Sequence, residues 1–202
     1  MCIFNFGGKI MENKKINVKL HKMCAAALLC AIGILIPIIM PIKLIIEPMS
    51  FTLGSHIVLF IAMFLSPGVA AFVSVGTTVG FLIGGFPLIV VLRAASQLVF
   101  VMLGAFALKA RPSILSKPAD IMLFGLLTGI VHAICEVLVC CVFYFSGMVN
   151  YSNAVSVLLL LVGVGTLVHS CIDYTLSLAI YKVLQKEIRF PVSAKLLKNT
   201  SE

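Results

Sequence analysis

Charge is what this sequence has least of. Asp, Glu, Lys and Arg make up 11% of its 202 residues, against about 25% in an ordinary globular chain. With 61% apolar residues and a mean hydropathy of +1.19, that deficit excludes a soluble domain and makes the chain an integral membrane protein. Recognisable chemistry is missing too. No GxxxxGK[ST] phosphate loop occurs, so nothing in the chain hydrolyses ATP, and no HExxH or GxSxG announces a catalytic centre. The chain is therefore not expected to be an enzyme, and it carries no cofactor motif of its own. Cys2, Cys24, Cys30, Cys135, Cys140, Cys141 and Cys171 lie in or beside apolar segments without metal-finger spacing. They are small core residues and not a disulfide framework. The first apolar run has no small-residue cleavage site, so it is a retained span and not a signal peptide.

What the chain does have is apolar length. A bilayer-crossing helix uses about 20 residues, and runs bounded by Pro, Gly or charge fall at 22–41, 53–65, 69–86, 88–108, 119–145 and 155–181. The expectation is an all-α bundle of six transmembrane helices at 22–182, with an N-terminal segment at 1–21 and a C-terminal tail at 183–202. Met1 and Met11 are both candidate starts. The net charge of +8 would suggest nucleic acid in a soluble chain; here its distribution reports topology, and no nucleic-acid partner is expected. Thirteen of the fifteen Lys and Arg fall before span one, between spans four and five, or after span six; only Lys43 and Arg93 do not. The positive-inside rule makes both termini cytoplasmic in a multi-pass cell-membrane protein, with 42–52, 84–88 and 146–154 outside. Gly76, Gly80 and Gly84 on span three, and Gly125 and Gly129 on span five, would let helices approach closely. Ala27 and Ala31 repeat that spacing on span one.

Two stretches far apart read almost alike: "VHAICE" at 131–136 and "VHSCID" at 168–173. Each sets a histidine four residues before a carboxylate, inside hydrocarbon, where a charge costs about 2.5 kcal/mol or more and marks a cavity, a partner or an ion path. Thr128, His132 and Glu136 share one face of span five, Gly165, His169 and Asp173 one face of span six, and Arg93 and Gln97 one face of span four. His56 adds a fourth helix. Three explanations stand at this level. The groups pair internally, Arg93 with Glu136 and a histidine with Asp173. They line a polar cavity open to the outer face, where the Arg93 fork suits a planar carboxylate. Or two His and two acids hold a divalent cation, as in a metal carrier or an intramembrane metal hydrolase, with Arg93 repelling the ion.

The combination of six spans, an Ala-x-x-x-Ala in the first, a long outer loop after it and a polar cluster in the last three resembles the substrate-binding S components of energy-coupling factor (ECF) transporters. "ALLCAIGILIPI", the block from Ser50 to Gln97 and "HAICEVL" are most similar to the niacin-type S component, a likeness that covers roughly residues 20–181. The resemblance implies a subunit that captures a vitamin from outside, nicotinate or a related heteroaromatic acid. It also implies docking through Ala27 and Ala31 onto a membrane coupling subunit driven by two cytoplasmic ATPases, where ATP is used. Arg93, Gln97, His132, Glu136 and His169 then sit on the helices that line the vitamin pocket, with Thr128, His56 and Asp173 beside them.

Overall fold

The structure is a computed structural model that describes residues 6–39, 43–46, 49–52, 54–150, 153–188, 192–194 and 196. Six helices run in the order α1 (Phe6–Ile39), α2 (Ile57–Leu65), α3 (Pro67–Ile83), α4 (Leu88–Ala110), α5 (Pro118–Phe145) and α6 (Ala154–Leu184). Four of them, α1, α4, α5 and α6, are long and apolar enough to cross a membrane. The expected second and third spans are both present as helices and meet where expected, at 66–68, but neither has the length of the other four. Helix α2 has nine residues, about 13 Å at 1.5 Å per residue, too short for a hydrocarbon core of about 30 Å. Helix α3 has 17 residues and is also shorter than the other spans.

Burial explains how so short an apolar helix arises. Every residue from Val58 to Leu65 is buried, and a helix that is apolar all round belongs inside a bundle. Helices α1, α3, α4 and α6 all contact α2, which makes it the central strut. Its junction with α3 is abrupt. Ser66 is extended (φ −173°, ψ 158°), its Oγ accepts from the Val69 N–H at 3.4 Å, and Pro67 opens the next helix, a serine cap followed by proline at the first helical position.

A hairpin is the second departure from the expected all-α bundle. Strands β1 (Lys43–Ile46) and β2 (Met49–Thr52) pair antiparallel, Lys43 opposite Thr52 and Ile46 opposite Met49, between α1 and α2. Two four-residue runs rich in apolar and β-forming residues, "KLII" and "MSFT", flank a Glu-Pro dipeptide there, and that is a hairpin signature.

Small residues set the helix spacing as expected. A Cβ on Gly76 would run into the Cys30 sulfur, and one on Gly80 would lie 2.7 Å from Ile34 Cγ1, so α3 packs backbone-close against α1. That contact buries Ala26, Leu29 and Cys30 and leaves Ala27, Leu28, Ala31 and Ile32 exposed on the other side of α1.

The half of the core away from the hairpin is aromatic. Phe60 packs against Phe100 and Tyr174 at ring separations of 5.6 and 5.2 Å, and Phe64 against Tyr181 at 5.0 Å. The chain beyond α6 returns to close this end. The N–H groups of Ser193 and Ala194 donate to the Phe64 carbonyl at 3.1 and 3.0 Å, satisfying acceptors that a helix C-terminus leaves open, and the Tyr181 hydroxyl donates to the Ala194 carbonyl at 2.9 Å. The C-terminal segment expected as a tail at 183–202 thus begins with α6 running to Leu184 and includes Ala194, fully buried in the bundle.

Candidate functional site

The polar residues of four helices gather in the half of the bundle nearer the hairpin. Arg93 and Gln97 lie in the first half of α4, Glu136 in the second half of α5, Thr166 and His169 before and at the middle of α6, and His56 immediately precedes α2. The chain folds this way because each polar residue shares a helix face with another one turn away. Within α6, residues Val157–Val164 are wound as a π-helix. The wider turn resets the facing of every later side chain, Thr166 and His169 included, and such segments recur at functional sites.

Arg93 is held in the hydrocarbon by Glu136. Its Nε and Nη2 donate to Glu136 Oε2 at 3.0 and 2.6 Å, and the Thr166 hydroxyl donates to the same oxygen at 3.1 Å. Both charged side chains are buried, the desolvated geometry in which a lost partner matters most. Glu136 Oε1 lies 3.4 Å from His132 Nε2 without a hydrogen bond between them.

A second carboxylate anchors the other half of the cluster. Asp173, fully buried, accepts the Gly54 N–H on Oδ1 and the His56 N–H on Oδ2, each at 3.0 Å. It thereby supplies an acceptor and a negative charge at the otherwise open N-terminus of α2. His56 Nδ1 is 3.2 Å from Asp173 Oδ2, and its Nε2 is 3.1 Å from the Gln97 amide nitrogen. Those contacts fit one neutral tautomer, with Nδ1–H donating to the acid and Nε2 accepting from Gln97. His169 Nε2 stands 3.4 Å from Asp173 Oδ2 and 3.3 Å from Ser55 Oγ.

Between the two acid clusters lies a half-enclosed cavity with a free volume of about 40 Å³, bounded by Ser55, His56, Arg93, Gln97, Glu136, Thr166 and His169, with Phe81, Val90 and Ala94 as its apolar wall. Five of the eight residues expected at a substrate site from the sequence therefore border it: Arg93, Gln97, Glu136, His169 and His56. The other three do not. Thr128 bonds its own helix at the Phe124 and Gly125 carbonyls (2.9 and 3.0 Å), His132 stacks on Phe100 at 4.4 Å, and Asp173 holds the start of α2. Ser55, Thr166, Phe81, Val90 and Ala94 were not legible as lining residues. A single hydroxyl or small apolar residue in an apolar run carries no signal until its neighbouring helix is known, although Thr166 stands three residues before His169 and could be placed on its face.

Both pairings of the internal-glue reading are present, and they frame the cavity. Neither explanation excludes the other. His56, His169 and Asp173 also bring three potential ligand atoms within 4.8 Å of one another, and each Asp173 oxygen there also accepts a backbone N–H at the start of α2.

The chain is 43% identical over 185 residues, 91% of its length and 82% of the relative's, to the niacin transporter NiaX of Lactococcus lactis subsp. cremoris (strain MG1363). The chain belongs to the niacin-type S components. No protein-family model matches it, and no solved structure does. With four helices apolar and long enough to span, this S component is a multi-pass membrane protein of the transporter class and not an enzyme. Leu92, Val99, Leu103 and Phe106 on α4 and Leu138 and Val142 on α5 are the exposed apolar residues its membrane setting calls for.

Proposed function

We propose that this S component captures niacin, as nicotinate, at the cavity on the hairpin side, and hands it to an ECF coupling subunit powered by two cytoplasmic ATPases. The observation that carries the proposal is the buried Arg93 fork bordering a cavity that also holds polar donors and apolar walls. A nicotinate needs a planar receptor for its carboxylate, a polar partner for its ring nitrogen and flat apolar walls for the ring. Arg93 serves the first, Gln97, His56 or His169 the second, and Phe81, Val90 and Ala94 the third. The free volume of about 40 Å³ holds a few waters and less than a pyridine ring. Loading therefore moves side chains, and the direct route is for the substrate carboxylate to take over the Arg93 donors now bound to Glu136.

The same reading places both termini and Pro112–Ser116 in the cytoplasm and the hairpin outside. The charge distribution supports it, and so does the gathering of the cavity residues at the end of the bundle away from Pro112–Ser116. Exposed Ala27 and Ala31 on α1 form a face without side-chain bulk, suited to close approach by a partner helix. Native mass spectrometry of the purified protein, followed by titration with nicotinate, tests the substrate. A co-purified pyridine carboxylate and saturable binding are expected; bound metal with no response to nicotinate would end the reading. A cysteine at position 113, in a cysteine-free background, should resist an impermeant thiol reagent added to intact cells, and labelling there would invert the topology.

A further inference from the structure

Each acid in the site has its own stabilising partner before a substrate arrives. Arg93 offsets Glu136, and Asp173 is offset by the N–H groups of Gly54 and His56 at the start of α2. A substrate that enters as an anion adds one negative charge to a buried region. If it takes the Arg93 donors, Glu136 keeps only the Thr166 hydroxyl on Oε2 and becomes a buried carboxylate without a cation, a state that strongly favours neutralisation.

One group is placed to supply that neutralisation. His132 is fully buried, and its Nε2 is a polar atom with no hydrogen-bond partner, aimed at Glu136 Oε1 from 3.4 Å. Its Nδ1 lies 3.5 Å from Ser170 Oγ. The neutral ring holds one proton, on Nδ1 or on Nε2; in either tautomer one added proton makes both nitrogens donors, and Nε2–H then meets the carboxylate oxygen in a charge-assisted hydrogen bond. The surroundings suit a ring that changes charge. Phe100 of α4 stacks on it, the neutral His56 ring of α2 meets it edge-on at 4.6 Å, and Ser170 is its polar neighbour on α6. Arg93 stands behind Glu136, while Asp173 and His169 lie beyond His56.

We propose that substrate capture takes up one proton from outside, with the His132 ring as its acceptor. The substrate carboxylate replaces Glu136 on the Arg93 donors, the proton comes to rest between His132 Nε2 and Glu136 Oε1, and the loaded site keeps the net charge of the empty one. No covalent bond other than N–H forms. The proposal rests on the nicotinate reading and makes this S component a binder of anion plus proton.

The test is calorimetric titration of the purified full chain with nicotinate in phosphate and in Tris at one pH. The difference in heat between two buffers of unlike ionisation enthalpy counts the protons exchanged. About one proton taken up per nicotinate is expected, together with affinity that falls up to tenfold per pH unit once the free protein no longer holds that proton. Nicotinamide, which is uncharged, should bind with uptake near zero. His132→Gln should lose the uptake and bind nicotinate at least tenfold more weakly. Glu136→Gln, which removes the charge to be neutralised, should lose both the uptake and the pH slope. Nicotinate binding without proton uptake in the wild-type protein would overturn the proposal and leave the nicotinate reading standing. Wild-type uptake in His132→Gln would overturn the assignment to His132, and absence of any nicotinate binding would remove both readings.

Discussion

Arg93 and Asp173 look equivalent in the sequence, each a lone charge in an apolar helix, yet their surroundings give them different work. Arg93 borders the cavity and its partner Glu136 sits on another helix, so its bonds can be exchanged. Replacing it by Ala or Lys should weaken nicotinate binding by about 2–5 kcal/mol, the range for breaking a buried charged pair. Lysine fails because a single ammonium lacks the fork that meets two oxygens. A titration of folded Arg93→Lys that matches wild type would take Arg93 out of the site. Asp173 instead holds two backbone N–H groups that no water reaches. Asp173→Asn keeps one acceptor oxygen and turns an NH₂ toward the other N–H, leaving an unsatisfied buried donor that costs about 1–3 kcal/mol. The prediction is a lower unfolding midpoint without any ligand. Unchanged thermal stability with lost binding would mean Asp173 contacts substrate after all.

Among the elements, all six helices were legible, whereas the hairpin and the all-round burial of α2 were not. Spans expected at 88–108, 119–145 and 155–181 appear as Leu88–Ala110, Pro118–Phe145 and Ala154–Leu184, because Pro and charge bound them and their length leaves no alternative. The run 53–65 is equally apolar, but hydropathy cannot distinguish a helix facing lipid from one facing protein on all sides; only packing makes α2 a strut. The site was half legible for a related reason. Charged groups in hydrocarbon announce themselves, whereas Ser55 and Thr166 matter only through distant residues, His169 and Glu136, which stand 114 and 30 positions away along the chain. Glycine gives a sharper test at this scale. Gly80→Leu must push α3 off Ile34 and should cost about 1–3 kcal/mol as overpacking, read as a loss of thermal stability in detergent. Gly68, the second residue of α3, where an added methyl would meet nothing within 4 Å, should instead accept Ala without loss of stability. Equal effects of the two would mean that α1 and α3 are not in close contact.

At the scale of the whole molecule, the proposed capture site and the proposed docking face lie on different surfaces. The cavity is bordered by α3, α4, α5, α6 and the Ser55–His56 turn ahead of α2, while Ala27 and Ala31 lie on the exposed side of α1. Ala27→Trp should therefore leave nicotinate affinity of the isolated protein intact and sharply reduce ATP-driven uptake in cells that hold the coupling subunit and ATPases. Parallel loss of both would make these alanines packing residues, and full uptake would put the docking face elsewhere.

The aromatic floor beneath the cavity carries one more consequence. Phe60, Phe64, Phe100 and Tyr181 are fully buried, and the returning chain at Ser193 and Ala194 closes the far end of α2. The bundle is a cup and not a pipe. A cell that made this protein in large excess would gain no leak across its membrane, and its ion gradients would stay intact.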